Sequence, residues 1–255
     1  MKNNPQLKFS ALTLFPELFE GFVKYGVIGK AIEKGELDFE GVNLRDFVPE
    51  KHPFADDRPV GGGDGMVLKA DIAQTALDTC LTPNSTVIHL TPAGKTFDNH
   101  LSKELAKSEH IVFLCGRYAG FDHRFVQRYA HHEVSIGDFV LSGGEHAAIC
   151  MMDSISRFVP GVLGNADSAV KDSFEDGLLE APSYTKPDEF MGLTIPDVLK
   201  SGNHKKIEKY RRMEQIKRTA LNRPDIVNLN WDTLTKSERA LAERIWKYGS
   251  GKPKT

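Results

Sequence analysis

Short apolar runs alternate with amphipathic stretches along the first 160 residues or so. Runs typical of buried strands occupy Leu7–Phe15, Thr86–Leu90 and Ile111–Cys115, and the pattern at Leu37–Leu44 predicts another strand. Helical periods are predicted at Glu17–Tyr25, at Ala70–Leu81 and around Leu101 and Leu105, where Asp98 or Asn99 is the candidate N-cap. Strands that alternate with helices predict an α/β fold with a mainly parallel sheet.

The pattern changes beyond this region. Pro160–Pro182 is rich in Gly, Asp, Ser and Ala and has little apolar periodicity, which predicts a linker or mobile loop. Helical signals then return. Asn203 is a candidate N-cap for a helix, and Thr235 with Glu238 forms a candidate capping box. We therefore predict an α/β domain over 1–161, a flexible linker over 162–174 and a small all-α domain over 175–255.

Composition narrows the class of protein. With 40% hydrophobic and 27% charged residues, the chain resembles an ordinary globular protein rather than a disordered one. Apolar stretches fall short of the ~18 residues that a membrane span needs, and the N-terminus has no secretory pattern, so we expect a cytoplasmic protein with no membrane partner. Three cysteines without a C-x-x-C pair support neither a disulfide framework nor a structural zinc site.

The charges are unevenly distributed. Nine basic residues against Glu208 and Glu214 give the segment Lys200–Arg223 a local charge of 9 − 2 = +7, whereas the formal net charge of the chain is −2. Such a segment is typical of a protein that binds a phosphate backbone. It is equally typical of a solvated helix face with i,i+4 pairs, here Glu208 with Arg212 and Glu214 with Arg218. Charge alone leaves both interpretations open.

Three glycine clusters mark candidate binding loops: RPVGGGDGM at 58–66, CGRYAG at 115–120 and SIGDFVLSGGE at 135–145. Glycine lets a backbone approach a ligand closely, and open α/β sheets bind ligands beyond the carboxyl ends of their strands. Tight turns are the alternative for any single cluster. Phosphate-loop, G-x-S-x-G and H-E-x-x-H patterns are absent from these clusters, so we predict neither a nucleotide phosphate, a serine nucleophile nor a metal site.

Taken together, the clusters carry a family resemblance. They occur with LFPE at 14–17, SRFVPGVLG at 156–164 and LKSGNH at 199–204. In this order the runs resemble the bacterial tRNA (guanine-N1)-methyltransferases, the TrmD family of the SPOUT superfamily, over nearly the whole chain. The resemblance implies methylation, from S-adenosylmethionine (AdoMet), of N1 of the guanosine immediately 3′ of the anticodon of tRNA (position 37).

The same resemblance implies a fold and an assembly. It implies a SPOUT-type α/β domain whose C-terminal part forms a trefoil knot, followed by a small all-α domain. It also implies a homodimer with two active sites at the interface. General topology rules alone argue against a knot, because knotted chains are rare.

The resemblance assigns the cofactor to three loops. Apolar side chains and glycines predominate there, as expected for an adenine-containing ligand without phosphates. The implied AdoMet-binding residues are His89, Leu90, Pro92, Gly116, Arg117, Tyr118, Ile136, Gly137, Phe139, Leu141, Gly143 and Gly144.

Two residues match the family's catalytic groups. Asp172 matches the general base that takes the N1 proton, and Arg157 matches the arginine placed against the guanine carbonyl. Without the resemblance, a helix N-cap and a surface arginine would be the expected roles. Asp172 falls in the predicted linker, which in the family orders when tRNA binds. The implied RNA-binding residues are Gly61, Gly62, Gly63, Gly65, Ser173, Lys205, Lys206 and Lys209.

One position departs from the family pattern. Ala119 stands where relatives commonly carry a glutamate connected with magnesium dependence, so magnesium is a doubtful cofactor here. Asp122 and Glu133 are the candidate substitutes for that carboxylate. The departure leaves an alternative open, a catalytically weakened SPOUT protein that binds AdoMet and tRNA. A third hypothesis, a Rossmann-type enzyme, lacks G-x-G-x-x-G.

Overall fold

The computed structural model describes residues 5–51, 53–164 and 172–248. The chain divides into two compact units, Met1–Ala166 and Asp167–Thr255, so the division falls between residues 166 and 167. Within the described residues, no helix combines the length and the apolar character needed to cross a bilayer.

A five-stranded parallel sheet forms the centre of the first unit. Neighbouring strands are all parallel, and their order across the sheet is β2 (Leu37–Asn43), β1 (Leu7–Thr13), β6 (His110–Leu114), β5 (Ser85–Thr96) and β7 (His132–Ser135). A separate antiparallel ladder joins β3 (Asp56–Asp57) to β4 (Val67–Leu68).

Hydrophobic cores cover both faces of this sheet. Successive residues of β6 alternate between them, with Ile111 and Phe113 in one core and Val112 and Leu114 in the other. Such two-sided burial gives the continuous apolar run that marked this strand in the sequence. The described helices of the unit are α1 (Glu20–Lys24), α2 (Gly26–Lys34), α3 (Ala70–Cys80), α4 (Asn99–Leu105), α5 (His123–Tyr129) and α6 (Glu145–Ser156).

The second unit is mainly helical, and its core packs against the long helix α8 (His204–Asn222). The predicted N-cap Asn203 accepts a hydrogen bond from the Lys206 amide (3.1 Å), and Thr235 and Glu238 form the predicted capping box. Leu178, Ile216 and Val227 are buried in this core. The helices are α7 (Asp197–Lys200), α8 (His204–Asn222), α9 (Pro224–Leu229) and α10 (Lys236–Tyr248).

The expectation of an all-α second domain is wrong in one respect. A short antiparallel ladder joins β8 (Glu189–Phe190) to β9 (Leu193–Thr194). Met191 and Gly192, the two residues between these strands, both have positive φ, of 53° and 80°. This is the backbone of a two-residue hairpin turn, and methionine at the first position hid it from the sequence pattern.

A buried histidine lies at the amino end of β6. His110 is 4% exposed, and its Nε2 and Nδ1 atoms lie 2.9 Å from the Ser10 hydroxyl and 2.7 Å from the Ser85 hydroxyl. Burial, reinforced by the positive charge of Lys8, lowers the pKa of His110 below its usual value of 6.5. The folded protein therefore favours the neutral imidazole.

We predict that His110 makes the fold sensitive to mild acid. Because its pKa is lower in the folded than in the unfolded chain, stability is unaffected well above pH 6.5 and is lost as the pH falls from 6.5 towards the folded pKa. Urea unfolding of the wild type and of His110→Gln between pH 8 and pH 5 measures this difference. The free-energy gap between the two proteins should shrink in acid, and parallel pH profiles would contradict the prediction.

Candidate functional site

The three glycine clusters meet at the carboxyl ends of the parallel strands. The Gly144 amide, in the third cluster, donates a hydrogen bond to the Gly116 carbonyl (3.0 Å), in the second. Arg117 and Gly143 add an antiparallel bridge between the same two loops. The Ala119 amide donates to the Met66 carbonyl (2.9 Å) at the end of the first cluster. Residues 58–66, 115–120 and 135–145 thus form one continuous loop surface.

Glycine is required where the second and third loops cross. A Cβ atom on Gly144 would lie 2.8 Å from the Cα of Cys115, which is backbone and cannot give way locally. A Cβ atom on Gly143 would lie 2.3 Å from Nε of Arg117. The close crossing therefore explains both glycines at the end of the third cluster.

An open cleft lies beside this crossing. Its walls come from the bulge of β5 after Leu90, from the loop that follows β7, and from the first turn of α6. Eight of the twelve residues predicted to bind AdoMet line it: Leu90, Pro92, Ile136, Gly137, Phe139, Leu141, Gly143 and Gly144. Sequence reasoning missed Thr91, Ser135 and Ala147, which also line it and lie next to or just after the matched positions.

The other four predicted cofactor residues do not line the cleft. The His89 side chain contacts Glu133 instead, with Nδ1 3.1 Å from a carboxylate oxygen. Gly116 supports the crossing through its carbonyl, as described above. Tyr118 is 62% exposed and has a positive φ of 58°.

Arg117 belongs to a buried polar network instead. Its Nε donates a 3.1 Å hydrogen bond to Glu145, a carboxylate with no exposed surface, and the Thr13 hydroxyl donates to the same oxygen at 2.7 Å. The Arg117 guanidinium also lies over the Phe15 ring, 4.6 Å from its centroid. The network ties the second loop to the start of α6 and to the end of β1.

Sequence reasoning missed Glu145, Thr13 and Phe15 as members of the site. Glu145 and Phe15 lie within the family-matching runs at 135–145 and 14–17, which was the available signal. Thr13 and Glu145 are 132 residues apart along the chain, so sequence spacing alone could not pair them.

The first glycine cluster forms an open part of the loop surface. Gly61, Gly62, Gly63 and Gly65 are exposed and all have positive φ, between 84° and 123°. A Cβ atom on Gly65 would lie 3.9 Å from the Cβ of Ala119, so the two loops are in contact there. The predicted RNA-contacting glycines are therefore accessible at the rim of the surface.

The carboxylates near Ala119 are engaged elsewhere. Asp122 caps α5 and pairs with Arg124 (2.7 Å), and this partner lowers the pKa of Asp122. Glu133 lies against His89. In the part of the chain that the structure describes, no group of three or more His, Cys, Asp or Glu side chains could hold a metal ion. The residues around Ala119 do not fit a magnesium site.

The two predicted catalytic residues lie in different units. Arg157 is exposed at the end of α6 in the first unit. Asp172 is half-buried in the second unit, where its carbonyl accepts a 3.4 Å hydrogen bond from the Glu175 amide. Asp172 thus begins a turn rather than a helix, so the N-cap interpretation is wrong. Its neighbour Ser173 accepts a hydrogen bond from the Glu180 amide (3.1 Å).

The basic segment divides into paired and exposed cations. Arg212 pairs with Asp176 (2.6 Å) and Glu238 (2.7 Å), and Lys217 pairs with Glu214 (2.6 Å), so neither predicted i,i+4 pair forms. The three lysines predicted to bind RNA are exposed in the first turns of α8, and among residues 172–248 none of them makes an ion pair. They are Lys205, Lys206 and Lys209.

Comparisons with known proteins agree with the motif pattern. The family model described as tRNA (Guanine-1)-methyltransferase TrmD matches residues 7–229. A protein of Geotalea uraniireducens named tRNA (guanine-N(1)-)-methyltransferase is 46% identical over 241 residues, covering 94% of this chain and 97% of its own. A relative of the same name from Levilactobacillus brevis is 46% identical over 244 residues, covering 92% and 94%. The chain belongs to the TrmD family of tRNA (guanine-N1)-methyltransferases.

Proposed function

We propose that this protein methylates N1 of the guanosine at position 37 of tRNA, immediately 3′ of the anticodon, with AdoMet as methyl donor. Membership of the TrmD family supports the reaction class. The observation that carries the proposal is the cleft at the crossing of the loops, because eight matched family positions line it. Since its substrate is tRNA, we place the enzyme in the cytoplasm.

The cleft fits a cofactor of this chemistry. Its walls combine apolar side chains with a few polar groups, as small-molecule sites usually do. None of its lining residues is charged, which suits a ligand without phosphates. Leu90, Ile136 and Leu141 offer apolar surface, and Gly143 and Gly144 line the cleft at the crossing. These residues would hold AdoMet, which supplies an electrophilic methyl group when bound.

The chain's own residues then manage the proton and the developing charge. N1 of guanine carries a hydrogen, so formation of the N1–methyl bond, with cleavage of the sulfur–methyl bond, leaves a surplus proton. Asp172 accepts that proton as general base. Arg157, exposed at the end of α6, stabilises negative charge on the guanine carbonyl oxygen. No step passes through magnesium, because the residues around Ala119 do not fit it.

We further propose the family's homodimer and trefoil knot. The loop at 136–144 exposes Phe139 (53%) and Val140 (86%) beside the cleft, apolar surface that a second subunit would cover. After β7, at the edge of the sheet, this loop returns to contact Gly116 beyond β6, two strands away. Such a return is the kind of crossing that a knotted chain requires.

A catalytically weakened SPOUT protein is the less favoured alternative. Ala119 is its motivation, but the matched base, the matched arginine and the cleft are all present in this chain. Relatives that carry the methyltransferase name are 44–48% identical to it.

Methyl transfer to unmodified tRNA tests the proposal directly. We expect transfer from AdoMet to a transcript with guanosine at position 37, and none to a transcript with adenosine there. Asp172→Asn should reduce the rate at least ~100-fold, the scale of general base catalysis, with AdoMet affinity unchanged. Loss of AdoMet binding in that variant would contradict the role of Asp172, and absence of transfer by the wild type would remove the function.

Gly144→Ala tests the cleft itself. The added Cβ would lie 2.8 Å from backbone of Cys115, so the loops must separate, and we expect AdoMet affinity to fall at least ~10-fold. Calorimetric titration with AdoMet measures this, and thermal unfolding confirms that the variant folds. Gly21→Ala is the matched control, since its Cβ would meet nothing within 4 Å. Equal AdoMet affinity in both variants would exclude the cleft as the cofactor site.

Neutralising Lys205, Lys206 and Lys209 to Gln tests the RNA-binding assignment. Each lost phosphate contact should make the salt dependence of tRNA binding shallower, by about 2–3 in log–log slope for the three together. Filter binding between 50 and 300 mM salt measures the slope. A control variant with Lys236, Arg244 and Lys247 changed to Gln removes the same charge from α10. Equal salt slopes in the two variants would show that the α8 lysines do not contact phosphates and that α8 is an ordinary solvated helix.

A further inference from the structure

The segment that begins at Asp172 forms a closed turn. The Phe174 amide donates to the Leu178 carbonyl (2.8 Å), and the Gly177 amide donates to the Phe174 carbonyl (3.3 Å). The Glu180 amide reaches back to the Ser173 hydroxyl (3.1 Å). These bonds give residues 172–180, called the base turn below, a defined shape of their own.

The base turn is fixed to the helices of the second unit at three points. Leu178 is 1% exposed and packs in the core beside Ile216 of α8. The Leu179 amide donates to the Thr219 hydroxyl (3.0 Å), also on α8. The Asn230 side-chain amide, just after α9, donates to the Gly177 carbonyl (3.0 Å). A sequence rich in Gly, Asp and Ser therefore forms a docked turn here rather than a free connector.

An ion pair completes the attachment. Arg212 of α8 donates to Asp176 at 2.6 Å and to Glu238 of α10 at 2.7 Å. The other Asp176 oxygen accepts from the Leu178 amide at 3.2 Å. Arg212 thus has two carboxylate partners, and the trio carries a net charge of −1. A phosphate gains little from a guanidinium so occupied, although Arg212 belongs to the basic segment.

We propose that Arg212 is a positioning residue: it holds the base turn on α8, and so sets where Asp172 lies relative to the lysines that bind tRNA. This inference rests on the proposed role of Asp172 as base. Asp172 then moves with the second unit rather than with a flexible linker. Docking of tRNA on Lys205, Lys206 and Lys209 therefore also places the base.

Three variants separate positioning from phosphate binding. Asp176→Asn, Arg212→Gln and the double variant are compared in single-turnover methyl transfer at saturating tRNA and AdoMet. We expect each single variant to lower the rate about tenfold, since small misplacements of a catalytic group are costly. The double variant should be no slower than the slower single one, because both remove the same attachment. The tRNA dissociation constant and its salt slope should stay at wild-type values in all three.

Arg244→Gln is the matched control, an exposed arginine of α10 outside the base turn. It removes the same charge and should retain the wild-type rate. A flattened salt slope in Arg212→Gln, with no rate loss in Asp176→Asn, would show that Arg212 contacts phosphate and would overturn the proposal. The proposal would also be overturned if the rate loss of the double variant equalled the product of the two single-variant losses.

Hydrogen exchange gives a readout that does not depend on activity. The amides of Phe174 and Gly177 are bonded within the base turn, so Asp176→Asn should speed their exchange at least ~10-fold relative to Arg244→Gln. Unchanged exchange would overturn the anchoring even if the enzyme is active. If the wild type transfers no methyl group, the proposed function fails, and exchange alone still decides whether Arg212 holds the turn.

Discussion

The first unit depends on burying one carboxylate where two loops cross. Glu145 has no exposed surface, and an isolated charge there would cost several kcal/mol. Arg117, the Thr13 hydroxyl and the first turn of α6 offset that cost together. Both side-chain partners bond the same Glu145 oxygen and lie on different parts of the chain, so these contacts join the second loop, the start of α6 and the end of β1. Gly143 and Gly144, which line the cleft, directly precede Glu145, so the same contacts support one wall of the cleft.

Local chemistry made most of the fold predictable. Strand β6 is buried on both faces and reads as a plain apolar run, while Asp98, Asn203 and Thr235 mark helix starts because capping needs only neighbouring residues. Helix α6 was missed because its start lies inside a glycine motif, and β5 continues past a bulge that no local pattern indicates. The matched motifs predicted eight cleft residues, but the pairing of Glu145 with Thr13 joins positions 132 residues apart.

The basic segment shows what composition cannot distinguish. A count of charges treats Arg212 and Lys209 alike, and both lie on α8. Their roles separate because Asp176 and Glu238, 36 and 26 residues away, reach Arg212, whereas Lys209 remains exposed. Ion pairs with residues distant in sequence therefore neutralise part of the positive charge counted in the segment Lys200–Arg223. The positive surface that this segment offers to a polyanion is therefore smaller and more localised than a local charge of +7 suggests.

The residues that the proposed reaction needs are distributed over both units, which gives a physical basis for selecting the RNA substrate. The first unit carries the cleft and Arg157, and the second carries Asp172 and the exposed lysines. Neither unit alone holds the groups that the proposed reaction needs, so a substrate that engages only one cannot complete it. In the proposed reaction, the RNA must therefore engage residues of both units. For the proposed reaction, we expect this double requirement, rather than a tighter pocket for the guanine alone, to select the RNA.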